Sequence, residues 1–167
     1  MSNFFEKVMA EHLLDNTPTI LDWLFDDKKF NGSNWTSGTK RKFTNKVMRL
    51  NGFSKATFKK KVSTESYPKL RTKRNRHRKP FAMFSSSGSL GQDFVRHIRN
   101  GIAHGHAEVY KAAGVDYVEI TDYMKGKDTD PIQTAYIAIP LSYLDSILRL
   151  YREVEEGSSH QKKGLKR

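Results

Sequence analysis

The sequence predicts a mainly α fold, a helical bundle with a small antiparallel β-hairpin before a C-terminal helix. Two observations lead to this prediction. Apolar residues recur every three or four positions through most of 1–62 and again over 90–104, which is the spacing of amphipathic helices. Apolar and polar residues alternate over 117–123 and 134–139, on either side of a turn-rich stretch, which is the pattern of a hairpin.

The N-terminal part of the chain predicts four helices. The spacing of apolar residues predicts a first helix over 4–14, and a Thr-Pro capping pair begins a second helix over 18–30. A third helix over 43–50 ends at Asn51-Gly52, because asparagine and glycine are common where helices stop. A short fourth helix is expected from Ser54 to Val62.

The periodicity disappears over 63–89, where we expect a mobile basic loop inserted into the domain. It returns over 90–103 with apolar residues on one helical face, and this helix begins just after a run of Ser and Gly. The predicted hairpin over 117–139 is closed by Pro140. A last helix is then expected from Ser142 to about Glu155.

The length of 167 residues fits one domain, predicted over 1–156 and followed by a polar basic tail over 157–167. Because the chain has no cysteine, disulfides, thiolate metal sites, iron–sulfur clusters and cysteine nucleophiles are excluded. The N-terminus lacks a signal-peptide pattern, and the longest apolar run, around 135–144, is too short to span a bilayer. We therefore expect a cytoplasmic protein with no membrane partner.

Positive charge is concentrated in one segment. Of the formal net charge of +12, residues 40–79 contribute +15, from sixteen Lys or Arg against Glu65 alone, so the remainder of the chain carries −3. Concentrated positive charge attracts polyanions, whereas a solvated loop is the plain alternative and an anionic membrane would call for an amphipathic basic helix. The residues expected to bind nucleic acid are Lys55, Lys59, Lys60, Lys61, Lys73, Arg74, Arg76, Arg78 and Lys79.

The segment FVRHIRNGIAHGH carries the candidate catalytic residues, Arg99, Asn100 and His104, at the end of the 90–103 helix. Histidine can move a proton near neutral pH, and arginine can donate to two phosphate oxygens at once. Arg99 and His104 are five positions apart, which on an ideal helix separates their side chains by about 140°. Either the chain bends at Gly101 and Gly105, or a two-fold dimer supplies the partner residue.

The stretch RNGIAHG resembles the nuclease motif of the HEPN superfamily (higher eukaryotes and prokaryotes nucleotide-binding domains), in which Arg and a polar residue precede His. The resemblance implies a ribonuclease without metal or other cofactor, built at the cleft of a homodimer. His104 would activate the 2′-hydroxyl or protonate the leaving oxygen, Arg99 would hold the phosphate, and Asn100 would orient the pair. It also implies a toxin or phage-defence role, with an antitoxin as a candidate partner.

The products expected from such a site are a 2′,3′-cyclic phosphate and a 5′-hydroxyl. DNA should resist cleavage because it lacks the attacking 2′-hydroxyl.

Ordinary structural roles compete with this interpretation. A histidine near a helix end is commonly a cap, and an arginine beside it commonly pairs with an acid such as Asp93. A metal site made of His97, His104, His106 and Glu108 is disfavoured, because strong metal motifs pair histidines at i and i+4. His97 is expected to be a packing residue or to support the motif from behind.

Two non-enzymatic alternatives stay open. Residues 40–63 resemble a helix-turn-helix, with a glycine turn at Gly52 and a second helix beginning at Ser54, so that the protein could be a DNA-binding regulator. The chain could also be a catalytically silent HEPN module that binds RNA or forms dimers.

Overall fold

The computed structural model describes residues 35–50, 52–68, 76–126 and 130–164, with the backbone alone for 159–164. Within these residues the chain forms three helices and one five-stranded sheet. The helices are α1 (Ser37–Leu50), α2 (Leu90–Ala103) and α3 (Leu141–Gly164), and the strands are β1 (Phe58–Lys60), β2 (Phe81–Phe84), β3 (Ala107–Ala112), β4 (Val115–Met124) and β5 (Ile132–Pro140).

The prediction of a mainly α bundle is wrong, because a mixed sheet lies at the centre of the fold. The strand order is β1-β2-β5-β4-β3, with β1 and β2 parallel and the other neighbouring pairs antiparallel. The predicted hairpin is present as β4 and β5, in a register that pairs Val118 with Ile139 and Ile120 with Ile137. It is the middle of a larger sheet, to which β3 adds on one side and β2 and β1 on the other.

The helix predicted from Ser54 to Val62 is absent. A turn closed by the Phe58 amide on the Ser54 carbonyl, at 2.8 Å, leads directly into β1. Phe58 is buried among the rings of Phe53, Phe84 and Phe94, with ring centroids 4.9 to 5.3 Å away. The second helix of the helix-turn-helix is therefore missing, and that alternative loses its basis.

Strand β3 was not predicted, and it forms a hairpin with β4 through a two-residue turn. The turn residues Ala113 and Gly114 both have positive φ, 51° and 79°. Two consecutive positive φ values are typical of the tight turns whose twist matches that of a hairpin. Alanine is a rare occupant of such a position, so the sequence carries a weak turn signal here.

Helix α2 has the predicted bounds and packs its apolar face against the sheet. Ser89 caps its first turn, with its hydroxyl accepting from the Gln92 amide. Phe94, Ile98 and Ile102 are buried together with β4 and β5 side chains in one core. Burying each such side chain contributes about 1.5 to 3 kcal/mol relative to exposure, so this face holds the helix in place.

Helices α1 and α3 pack together around an aromatic cluster. The rings of Trp35, Phe43 and Tyr151 lie with centroids 4.9 to 5.6 Å apart, and the Trp35 indole donates to Glu155 at 2.6 Å. Burial raises the pKa of Glu155, against the opposing effect of that hydrogen bond. Helix α3 continues past the predicted end at Glu155 to Gly164.

The predicted helices over 4–14 and 18–30 lie outside the described residues. None of the helices that the structure does describe is both long enough and apolar enough to cross a lipid bilayer.

The face of the sheet that α2 leaves uncovered is crossed by part of the basic segment. Tyr110 on β3 donates to the His77 carbonyl at 2.9 Å, and Tyr117 on β4 donates to the Arg78 carbonyl at 2.8 Å. The His77 ring stacks on Phe81 at 4.8 Å. The described end of the predicted 63–89 loop is thus anchored to three strands and continues as β2, so this part of the expected mobile basic loop is instead a strand of the sheet.

Candidate active site at the end of α2

Helix α2 ends in a motif that places His104 at its tip. His104 is the cap residue, with φ −90° and ψ 3°, and its side chain is exposed. Gly105 follows with φ +75°, and its amide bonds the Ile102 carbonyl at 3.0 Å. The His106 amide bonds the Gly101 carbonyl at 2.7 Å, which completes a Schellman motif. The glycine after His104 therefore stops the helix immediately after the candidate proton-transfer residue.

Gly101 serves close packing rather than the bend that the sequence allowed. A Cβ atom at this position would lie 2.3 Å from Ile120 Cγ2 and 2.7 Å from the Thr121 carbonyl oxygen. Only glycine lets the last turn of α2 approach β4 so closely. The backbone that carries Asn100 and His104 is thereby pressed against the strand.

We expect Gly101→Ala to lower the free energy of unfolding by about 2 kcal/mol. The clash with β4 backbone outweighs the roughly 1 kcal/mol that alanine gains over glycine in a helix. Chemical denaturation measures the change. Gly88→Ala is the matched control, because a Cβ there meets nothing within 4 Å and the expected change is within about 0.5 kcal/mol. Equal stability of both variants would contradict the packing role.

The exposed strip of α2 carries the three motif residues. Arg99 and Asn100 are partly buried, His104 is exposed, and Arg96 lies one turn earlier on the same strip. At about 100° per residue, ideal helix geometry puts Arg99 and His104 on two sides of this strip. The structure places all three residues at the same end of the helix.

A buried network behind the motif ties it to β4. His97 donates from Nδ1 to Asp122 Oδ2 at 2.7 Å and contacts the Ser85 carbonyl oxygen through Nε2 at 2.9 Å. Asn100 Nδ2 donates to the same Asp122 oxygen at 3.4 Å, and the Tyr123 amide donates to Oδ1 at 2.9 Å. Asp122 therefore holds both the motif amide and the helix face behind it. His97 supports the motif from behind, as expected.

The electrostatics of Asp122 favour its ionised form. Burial raises the pKa of this carboxyl, but the hydrogen bond and charge of His97 lower it, as do hydrogen bonds from Asn100 and the Tyr123 amide. The net result is a pKa below the ordinary value. Both His97 and Asp122 are 3 % exposed, so solvent screens this pair weakly.

The structure bears on two of the competing roles, the ion pair of Asp93 and the candidate metal site. Asp93 pairs with Arg96 at 2.9 Å and accepts from the Ser86 hydroxyl at 2.7 Å. The ring nitrogens of His97 face Asp122 and Ser85, so His97 does not join the other three residues of the candidate metal site. No group of three or more potential metal ligands occurs within the described ranges.

A groove of about 630 Å³ opens beside the motif, on the sheet face opposite α2. His106 lies at its edge, with its ring 6.2 Å from that of His104 and 5.0 Å from that of Tyr123. The wall is formed by β4 and β3 side chains, including the buried carboxylate of Glu119. The lining residues are Gly105, His106, Ala107, Glu108, Glu119, Thr121, Tyr123 and Pro131.

The predicted nucleic-acid-binding residues fall into three groups. Lys59 pairs with Glu65 at 2.7 Å, and Arg76 pairs with Glu108 at 2.8 Å while its guanidinium covers the Tyr110 ring at 4.8 Å. Lys61 lies over the Tyr67 ring at 5.2 Å. Residues with exposed side chains are Lys55, Lys60, Arg78 and Lys79, whereas Lys73 and Arg74 lie outside the described residues.

Sequence reasoning missed Asp122 and Glu119. Asp122 continues the alternation of Val118 and Ile120, and an acid at a core-facing strand position is a signal that could have found it. Glu119 lies between these positions in the alternation, so the pattern places it on the solvent-facing side of the strand. Its burial depends on the Tyr136 side chain and on the chain that covers this face, which no local pattern reveals.

Comparison with known proteins gives a family match over most of the chain. A model of the HEPN pEK499 p136 family matches residues 28–160, which is most of the chain. No curated protein and no solved structure matches. The matched residues include α2 and the sheet behind it, and the match confirms that the chain resembles the HEPN superfamily. This chain belongs to the HEPN pEK499 p136 family.

Proposed function

We propose that the protein is a metal-independent endoribonuclease of HEPN type, with its active site at the end of α2. One observation carries the proposal: an exposed histidine stands at the tip of a helix whose last turns also carry an arginine, and this helix end is held in place from behind. His104 is set by the Schellman motif, and Asn100 is held by the buried carboxylate of Asp122. Rigid support of this kind is what catalytic side chains need.

The reaction requires one proton to leave and one to arrive. A ring nitrogen of His104 takes the proton of the 2′-hydroxyl, whose oxygen attacks the adjacent phosphorus as the bond from phosphorus to the 5′-oxygen breaks. The leaving 5′-oxygen takes a proton from a second acid. Arg99 donates to the phosphate oxygens as charge builds on them, which is the stabilisation expected of a guanidinium. Both roles are supplied by side chains, without a divalent cation.

Purified protein tests this function on a labelled RNA and on a DNA of the same sequence, with excess EDTA. The proposal expects RNA cleavage undiminished by EDTA and intact DNA, because only RNA carries the 2′-hydroxyl. Cleavage abolished by EDTA, or equal cleavage of DNA, would reject the mechanism. Binding of RNA without any cleavage would favour the catalytically silent module instead.

A homodimer is part of this proposal. Each chain offers one motif histidine, His104, while the reaction benefits from both a base and an acid, and two copies across a two-fold axis supply both. Arg99, which is partly exposed, then holds the phosphate at the site that His104 of the second copy completes. Mixing Arg99→Ala with His104→Ala protein should restore part of the activity that each variant lacks. A mixture as inactive as its components would argue for a site within one chain.

The exposed cations of the basic segment should supply sequence-independent affinity. We expect Lys60→Ser, Arg78→Ser and Lys79→Ser together to weaken binding of all RNA sequences alike, and to reduce the salt slope by about 0.7 for each phosphate that is no longer neutralised. Binding titrations across salt concentrations measure both effects. Arg152→Ser is the control, since that cation already pairs with Glu156 on α3 at 3.0 Å. An unchanged slope in the triple variant would remove this surface from RNA binding.

In the cell, such an activity would act as a toxin or in phage defence, held in check by an antitoxin protein. Damage to cellular RNA stops growth, and the family resemblance supports this part of the proposal. Induced expression of wild-type protein should arrest growth, whereas His104→Ala should not. Equal growth in both cases would limit the proposal to the enzymatic activity alone.

A further inference from the structure

The groove beside the motif contains a buried acid, Glu119, whose charge interacts with that of Arg76 but whose hydrogen bonds the fold satisfies only in part. Glu119 is 2 % exposed and lines the groove. One carboxylate oxygen accepts from the Tyr136 hydroxyl, while Oε1 is buried without a hydrogen-bond partner among the described residues. Leaving such an oxygen unpaired destabilises the fold, and more so when the group is charged. A buried acceptor beside an open groove is explained by a ligand that donates to it.

The groove walls fit a flat aromatic ligand. Tyr123 and His106 both line the groove, in an edge-to-face contact with ring centroids 5.0 Å apart and ring planes at 81°. Unpaired nucleobases in RNA are recognised by stacking on aromatic rings and by hydrogen bonds along the Watson–Crick edge. A volume of about 630 Å³ falls in the range of small-molecule sites.

The acid selects among the four bases. A carboxylate only accepts hydrogen bonds, so it favours an edge with adjacent donors. Guanine has two neighbouring donors there, N1–H and the 2-amino group. Uracil places its single N3–H between two carbonyl oxygens, and adenine and cytosine place a ring acceptor beside their amino group. An acceptor facing Glu119 is repelled.

We propose that this groove is a guanine-binding subsite, in which Glu119 accepts hydrogen bonds from the Watson–Crick edge and Tyr123 or His106 stacks on the base. The groove begins at Gly105 and His106, directly after His104, so a guanine bound there belongs to a nucleotide next to the scissile phosphate. This placement rests on the proposed ribonuclease activity, whereas binding of the base itself does not.

The experiment measures equilibrium binding of four nucleoside monophosphates to the wild-type protein in EDTA, together with inosine monophosphate. Guanosine monophosphate should bind about tenfold tighter than the adenosine, cytidine and uridine forms. Inosine monophosphate lacks only the 2-amino group and should lose about tenfold in affinity relative to the guanosine form. Equal binding of all five, or of the guanosine and inosine forms, would overturn the proposal.

Glu119→Gln tests the residue without changing its shape. The glutamine carbonyl can still accept from Tyr136, but its amide group donates, so the preference for guanosine monophosphate should disappear. Glu153→Gln, an exposed acid on α3, is the control and should keep the preference. A retained preference in folded Glu119→Gln would remove this residue from the subsite. Should that variant fail to fold, the inosine comparison decides alone.

Failure of the two proposals can be told apart. Selective binding of guanosine monophosphate without RNA cleavage would leave the subsite intact and reject the nuclease. RNA cleavage without any preference among the nucleotides would reject the subsite and leave the nuclease intact.

Discussion

Replacing His104 by alanine is expected to lower the rate of RNA cleavage by a factor of about 10² to 10⁴, because a positioned acid or base contributes that much. Arg99→Ala should lower the rate by about 10² to 10³, since it removes a donor to the charged phosphate oxygens. Single-turnover cleavage of a labelled RNA measures both. Neither side chain supports the core, so the melting temperatures of the variants should match that of the wild type.

Arg96→Ala is the matched control for these variants. Arg96 lies on the same exposed strip of α2, one turn before Arg99, and its charge is paired with Asp93. Its removal should leave the rate within about twofold, which corresponds to a barrier change under roughly 0.5 kcal/mol. A decrease in rate for Arg96→Ala as large as that for Arg99→Ala would mean that α2 contributes general positive charge rather than a specific phosphate contact.

The second large effect concerns Asp122. We expect Asp122→Ala to lower the free energy of unfolding by about 3 kcal/mol, because it leaves the buried His97 without its charged partner. Asn100 loses its anchor as well, so any folded protein should cleave RNA more slowly. Asp122→Asn retains an acceptor for His97 and should cost less. Chemical denaturation at neutral pH measures the series.

The pH dependence separates charge from shape in this network. Since His97 and its neighbours lower the pKa of Asp122 overall, the ionised carboxylate stabilises the fold above the ordinary carboxyl pKa. That stabilisation is lost as the pH falls through the lowered pKa of the folded state. The advantage of wild type over Asp122→Asn should therefore be full near neutral pH and shrink in strong acid. A constant difference would assign the effect to packing alone, and Asp130→Ala, an exposed control, should change stability little.

Helix α2 and the β4–β5 hairpin were predictable because their signals are local. The period of Phe94, Ile98 and Ile102, directly after a run of Ser and Gly, is enough to indicate α2. The alternation of apolar and polar residues in β4 and β5 is visible in the sequence, although both strands are buried at consecutive positions on both faces. Spacing also predicts that Arg99 and His104 are separated around the helix.

The rest of the sheet depends on distant pairing. Strand β1 has three residues, two of them lysines, and is a strand only because β2 lies beside it and Phe58 enters the core. Its run of lysines looked like the exposed face of a helix. Strand β2 is too short to show alternation, and it pairs with β5 some fifty residues later. Pairing between distant strands leaves no periodic pattern in the local sequence. The sequence therefore indicated a helical bundle where the structure has a sheet.

The candidate site likewise combines residues that lie close together in sequence with residues that strand pairing brings from a distance. Arg99, Asn100 and His104 lie in one short stretch and were visible together, whereas Asp122 and Glu119 reach the site through strand pairing. Asp122 meets Asn100 across 22 positions of sequence, and Glu119 meets Tyr136 across 17. The motif could be identified from sequence, but the support behind it and the groove beside it required the fold.

The ends of the cleaved RNA test the central claim most directly. Wild-type protein in EDTA should leave a 2′,3′-cyclic phosphate on one fragment and a 5′-hydroxyl on the other, as mass spectrometry of the products can establish, and His104→Ala should yield neither. Fragments ending in a 3′-hydroxyl and a 5′-phosphate, or the same cyclic products at an undiminished rate from His104→Ala, would contradict 2′-hydroxyl attack promoted by His104.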